Sequence, residues 1–529
     1  MQKTGKIKVG LSCFVVALIL AFFIPAAMFP AETKAVCSAM YSFITKDLAW
    51  LMFVCFIAVI GGSVYMTFSR HGRVRLGGRD AKPEFTNFEY ISMNMCGALA
   101  AGGVVLGFSE WSYYVTDTPF QIAPGSVQAY EYASAYPLFH WGPLMWALYV
   151  LPGIAIGYLY YNRKCMKSWS MAEACKPALG RLSEPLSPVI DVMAVFSTVS
   201  GCCTTIGLGT PVVAQLYASI TGTEVTFGLK MAVIGAFFVF LCIFGATPLK
   251  KGMAKISTAN VWLGIVLLIL VLVIGPTFFI MNTAWQAIGI NVSDVVRMSS
   301  FTDSIGKGLL SPDWTVFYVV WYLGIAAKTG LWVAKISYGR TFKEVMWAVS
   351  IWTAIACWIS FSIFGNFALD LEVNKGIMYS QMIHEVGQAG VVADVIGHMP
   401  VPKLFMAAFI VLIFLNIATS ATSSATTASI MTSKNLTASE EPSFFFKLFW
   451  IVMTFAIPVG FLLIENATGI QALSIIKSFN NVIYLPLIAL AILVSVSFAK
   501  VYREDLKNGV VDFELDKKVI GDQRDLERM

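Results

Sequence analysis

The sequence predicts an all-α integral membrane protein with twelve transmembrane helices, and three observations carry that reading. Hydrophobic residues make up 57% of the 529 and charged residues only 13%, with a mean hydropathy of +0.73. Soluble domains carry about 25% charge. Apolar runs of about 20 residues, enough to cross roughly 30 Å of hydrocarbon, recur along the whole chain. Lysine and arginine gather in alternate loops, as they do where cytoplasmic loops retain positive charge.

The runs fall at 8–29, 47–69, 89–116, 138–162, 186–217, 227–246, 258–282, 314–338, 344–370, 403–432, 446–465 and 476–499. The first is too long, and too poor in small residues at its end, for a cleaved signal peptide. One set of loops holds "KTGKIK", "RHGRVRLGGRDAK" (70–82), Arg163 to Arg181, "KKGMAK" (250–255), Lys335 with "GRTFK" (339–343), Lys434 with Lys447, and the tail after Lys500. The opposite loops hold only Lys34, Lys46, Arg297, Lys307, Lys375 and Lys403. Both termini are therefore expected in the cytoplasm. Lys230 and Lys477 lie near span ends, where the ammonium can snorkel; Lys328 lies in mid-span. The net charge of +6 follows from the cytoplasmic bias and anionic lipid, and gives no sign of nucleic acid.

Most of the ten cysteines fall inside spans, and Cys37 has no partner on its side, so reduced packing residues are expected. His71, His140, His384 and His398 form no metal-ligand spacing. No phosphate loop or Gly-x-Ser-x-Gly is present. No cofactor, no metal and no enzymatic activity are expected.

Glycines mark two spans, Gly97, Gly102, Gly103 and Gly107 in the third, Gly324 and Gly330 around Lys328 in the eighth. Interrupted segments at corresponding places in two halves point to a secondary transporter with inverted repeats, here helices 3–7 and 8–12. Close helix packing is the alternative reading of the same glycines.

In "LFHWGPLMWALYV" (138–150), Trp146 and Tyr149 lie about 140° and 80° around a helix from Trp141. Tyr318, Trp321 and Tyr322 share an arc of about 100° in the eighth span. Facing aromatic arcs would cage a quaternary ammonium, which has no N–H to donate and is held by ring quadrupoles. Lys328 follows Trp321 by seven residues, about 10 Å further along the same helix face, where it could meet a substrate carboxylate or stand in for a coupling cation. An intramembrane lysine is a functional-site hypothesis by default.

The chain resembles the betaine/carnitine/choline transporter family along nearly its whole length. The resemblance rests on "FHWGPLMWALY", "TTIGLGTPVV" (204–213), "LKKGMAKIS" (249–257), "GPTFFIMN" (275–282), "DWTVFY" and "AKISYGRT" (334–341). "YYVTDTPF" with "EYASAYPLFHWGPLMWALY" is most similar to the carnitine/γ-butyrobetaine exchanger branch. The resemblance implies an aromatic substrate box at Trp141, Trp146, Tyr149 and Tyr322, with Trp321 matching the first Trp of the helix 8 pair. It also implies alternating access, a homotrimer in a bacterial inner membrane, and two N-terminal helices ahead of a ten-helix core. The expected divisions are 1–88 (N-terminal helices), 89–285 (first repeat), 286–313 (external amphipathic connection), 314–499 (second repeat) and 500–529 (cytoplasmic tail).

Departures from the family bear on coupling. "ALAAG" (98–102) stands where sodium-coupled relatives have Gly-x-Gly-x-Gly, which argues against sodium. Thr419 and Ser420 match the hydroxyl pair that helps bind sodium in those relatives. Asn260 aligns with the Arg that replaces sodium in the exchangers. Tyr322 and Ile325 trim the aromatic box. The tail after Lys500 mixes acids and bases, unlike the long basic tails of osmotically regulated relatives. The expected function is movement of a quaternary-ammonium zwitterion (carnitine, γ-butyrobetaine or glycine-betaine type) by sodium-independent exchange or uptake for metabolism. A sodium-coupled betaine/choline symporter and a non-transporting membrane sensor are the alternatives.

Overall fold

The computed structural model describes residues 6–244, 253–434, 442–469 and 472–511. Lys250, Lys251, the tail beyond 511 and the Lys477 side chain, all weighed above, lie outside that description. Helix occupies each expected span. In chain order these are α1 (Val9–Met28), α2 (Ala49–Phe68), α3 (Asn87–Thr116), α4 (Val127–Asn162, in pieces), α5 (Ser183–Thr221), α6 (Phe227–Phe244) and α7 (Met253–Ile274). The second half adds α8 (Ser311–Ile336), α9 (Phe342–Val373), α10 (Pro402–Met431), α11 (Phe444–Thr468) and α12 (Ala472–Lys507). Ten helical stretches among the described residues are long and apolar enough to cross a membrane; α6 is a shorter apolar helix and α3 is not one of the ten. The chain is a multi-pass membrane protein. Its one strand pairing among the described residues is Lys6–Ile7 with Ser433–Lys434.

The core is built where α5 packs on α10, α3 on α9, and α8 on both the second half of α4 and α12. The glycines serve this packing. A Cβ at Gly330 would lie 2.7 Å from Pro152 Cβ, and one at Gly324 would enter the Tyr484 ring. The expected interruption of the third and eighth spans is therefore corrected: α3 is one helix of 30 residues and α8 is helical through Gly324 and Gly330. Small residues let backbones approach without breaking the helix.

The interruption lies in α4 instead. Val127–His140 ends at Trp141, Pro143–Ala147 forms a short turn, and Val150–Gly157 follows. Pro143 has no N–H to continue a helix, and its ring forbids helical packing against the carbonyl four residues back. A side chain at Gly142 would strike the Leu138 carbonyl oxygen at 2.5 Å. Neighbouring helices satisfy the freed carbonyls, as backbone in a membrane requires. Trp358 Nε1–H donates to Leu138 at 2.7 Å, Ser350 to Pro143 at 2.7 Å and Ser63 to Ala147 at 2.9 Å.

The seventh span also stops short of its expected end. It breaks at Gly275–Pro276, and Thr277–Met298 is a separate helix that crosses the expected boundary at residue 286. Lys230, expected to snorkel, pairs with Glu465 at 2.6 Å. No described cysteine is in a disulfide.

Candidate functional site

The breaks in α4 bring its aromatics to one wall although they no longer share one helical arc. Trp141, the residue after the first piece, and Trp146, in the short turn, have ring centroids 5.9 Å apart. Trp146 meets Tyr149 at 5.8 Å, near edge-to-face. From α8, Tyr318 and Trp321 stand 5.8 Å and 6.2 Å from Trp141, both edge-to-face. These five rings line a single cavity of 110 Å³, and Lys328 lines it too. Edge-to-face pairing sets the positive edge of one ring against the negative face of the next.

Tyr322 is placed differently from the expectation. It is fully buried, stacks on Tyr149 at 5.3 Å and abuts Trp146 at 5.1 Å, but does not line the cavity. It supports the wall from behind. Lys328 enters from α8 opposite α5, where its Nζ takes the space a Cβ at Gly201 would need, 2.6 Å away. Its electrostatic neighbours are the Cys202 and Cys203 thiols, and no described carboxylate pairs with it. Ser420 lines the same cavity, whereas Thr419 turns its hydroxyl back to the Asn416 carbonyl at 2.9 Å. The two hydroxyls therefore do different things. No group of His, Cys, Asp and Glu suited to a metal occurs among the described residues.

The sequence reading missed Glu110. Fully buried in α3, it accepts hydrogen bonds from the Tyr114 and Tyr318 hydroxyls, both at 2.7 Å, and from Trp141 Nε1–H at 2.8 Å. His140 Nδ1 lies 3.2 Å away, and His140 Nε2 lies 3.0 Å from the Thr315 hydroxyl. The argument that singled out Lys328, a charge in the middle of a span, applies equally to Glu110.

A second, larger pocket of 560 Å³ adjoins the first, lined by residues that include Tyr113, Lys230, His384, Glu385 and Glu465. Leu208 and Gln388 line both spaces. Gln388 follows Gly387, whose φ of 69° breaks the helix Tyr379–Gly397.

A broken helix, a buried aromatic cavity and a larger adjoining pocket thus lie within one helical bundle. The chain is 29% identical over 407 residues to the uncharacterized transporter YeaV of Escherichia coli, covering 77% of this chain and 84% of that one. It is 28% identical over 421 residues to a carnitine transporter of Acinetobacter baumannii, covering 79% and 75%. Among solved structures, a sodium-coupled sialic acid symporter is similar at 13% identity and a TM-score of 0.41, over 82% of this chain and 80% of that one. The family described as betaine/carnitine/choline family transporter matches residues 11–507. This chain belongs to that family, and is a transporter rather than an enzyme.

Proposed function

We propose that the protein moves a trimethylammonium zwitterion of the carnitine, γ-butyrobetaine or glycine-betaine type across the bacterial inner membrane by alternating access. The observation that carries this reading is the cavity, walled by Trp141, Trp146, Tyr149, Tyr318 and Trp321 with an ammonium, Lys328, in the same space. Ring faces attract a cation that has no donor of its own. Lys328, without a described carboxylate partner, suits the acid end of the substrate. Charge-assisted hydrogen bonds of that kind are about twice as strong as neutral ones.

Sodium-independent exchange or uptake is the coupling we favour. Residues 98–102 lie within the continuous helix α3, so their carbonyls serve the helical ladder instead of a bound ion. Sodium coupling through Thr419 and Ser420 is the alternative, supported by the position of Ser420 on the cavity. The division into repeats 89–285 and 314–499 has support in the packing, since exchanging the halves converts the α3–α9 contact into α8–α4 and leaves α5–α10 unchanged. An inner-membrane homotrimer with cytoplasmic termini completes the proposal. The helix Thr277–Met298 supports it with an exposed apolar stripe, including Phe278, Trp285, Val292 and Val296.

Counterflow in proteoliposomes is the decisive experiment. Internal unlabelled γ-butyrobetaine, carnitine or glycine betaine should accelerate uptake of its labelled form, which only a carrier permits. Binding without counterflow would indicate a sensor. A thermal-shift panel over these compounds and choline would identify the substrate, since a ligand of the folded state raises apparent stability by RT ln(1 + [L]/Kd).

A further inference from the structure

Glu110 does not line the cavity, yet two of the rings that do are bound to it. Trp141 Nε1–H and the Tyr318 hydroxyl both donate to Oε2, at 2.8 Å and 2.7 Å. The Tyr114 hydroxyl donates to Oε1 at 2.7 Å, and His140 Nδ1 is 3.2 Å from the same oxygen. An ionised carboxylate only accepts, with about four lone-pair positions on its two oxygens. Three donors are directed at those positions, and His140 Nδ1 lies beside Oε1 and 3.0 Å from the Tyr114 hydroxyl. The Thr315 hydroxyl, 3.0 Å from His140 Nε2, is placed to donate to it, so a neutral imidazole with its proton on Nδ1 completes the network. His140 also stacks on Tyr318, with centroids 4.6 Å apart.

We infer that Glu110 is a positioning residue that gives the aromatic cavity its preference for a cation, acting through Trp141 and Tyr318. One part of the effect is geometric. The carboxylate ties a residue of α4 and a residue of α8 to α3, so the two facing rings hold one mutual orientation. The other part is electronic. An indole or phenol that donates its proton toward an anion gains electron density in the ring, which deepens the negative potential on the face a cation meets. The carboxylate lies at the edges of those rings, since indole N–H and phenol O–H donate in the ring plane, and in a poorly screened interior its charge also attracts a cation held on the cavity side.

The consequence for the whole site is a polarity. Negative charge stands at the ring edges on the Tyr318 side, and Lys328, about 15 Å of helix rise further along α8, lines the same cavity. A zwitterion matches that polarity when its trimethylammonium lies on the rings and its carboxylate faces Lys328. The inference rests on the proposal that the cavity binds a trimethylammonium group, and the test separates the two.

The measurement compares γ-butyrobetaine with 5,5-dimethylhexanoate, the same acid with carbon in place of the quaternary nitrogen. Wild type should bind the cationic member more tightly. A wild type that shows no such preference overturns the cavity assignment, and this inference with it. Given the preference, Glu110→Gln should reduce the affinity ratio of the two ligands by about tenfold, because the loss falls on the charged ligand. Equal weakening of both ligands, with the ratio unchanged, would make Glu110 a purely structural hub and overturn the inference. Should Glu110→Gln fail to fold, Tyr318→Phe keeps the ring and removes only its link to the carboxylate. That variant should lower the ratio by about threefold, and an unchanged ratio would be equally fatal.

Discussion

Trp141 shows what a single side chain does here. Its indole is 2% exposed, one ring neighbour comes from α9 (Phe361, stacked at 5.2 Å), and its N–H is committed to Glu110. What remains for a ligand is its face on the cavity. Changing Trp141, Trp146 or Trp321 to Leu should therefore weaken binding of a trimethylammonium ligand by about 1–2 kcal/mol, roughly 5- to 30-fold, in a calorimetric titration. Phe should be tolerated better than Leu. Lys328→Gln should weaken a betaine or carnitine by about 1.5–3 kcal/mol and spare choline, which has no carboxylate. Equal losses would assign Lys328 to ion replacement instead. These aromatics were legible in the sequence because residue type carries the chemistry and the motif carries the position. The charge of Glu110 inside a span was legible and passed over, but its partners were not, since they come from α3, α4 and α8 and no local spacing announces them.

At the scale of elements, glycine was the residue most easily misread. Sequence alone cannot separate a glycine that breaks a membrane helix from one that lets two helices touch. The structure assigns Gly324 and Gly330 to contact, while the break falls at Gly142–Pro143, where Gly142 is extended ahead of a residue that has no donor and disfavours helix before it. Two substitutions separate the kinds of crowding. Gly330→Ala sets a methyl against Pro152 and the backbone nitrogen of Gly153, at 2.7 Å and 3.0 Å, and backbone cannot yield. It should cost about 1–3 kcal/mol and lower the Tm measured in detergent. Gly201→Ala meets only the flexible tip of Lys328, so it should leave the Tm near wild type and shift zwitterion affinity. A third test lies between elements, where His71 sits 2.8 Å from the Tyr502 hydroxyl of α12. Burial, then the charge of Arg70, hold its pKa below the usual histidine value, so the docked state favours neutral imidazole. That contribution is present above about pH 6.5 and lost as the pH falls through the lowered value. Hydrogen exchange at 498–507, corrected for intrinsic rate, should rise between pH 7.5 and 5.5, and His71→Gln should flatten that rise.

For the whole molecule, the sequence made the helical segments and their order legible because hydrophobic length is a strong signal. Which helices pack together was not legible, since apolar faces in lipid do not name their partners. Uptake into vesicles should persist when sodium is replaced by a large inert cation. A strict sodium requirement, abolished by Thr419→Ala with Ser420→Ala, would return the coupling to the hydroxyl pair. Trp285→Asp should shift the assembly toward monomers in native mass measurements if the stripe on Thr277–Met298 joins subunits. The shared wall at Leu208 and Gln388 has a kinetic meaning of its own. If the ligand passes between the two pockets, the side chains common to both slow arrival and departure alike without favouring either. A bulkier residue there, Leu208→Phe, should therefore lower the association and dissociation rates together by a similar factor and leave the equilibrium constant nearly where it was. In stopped-flow traces the protein would be slower at meeting its ligand and no worse at holding it.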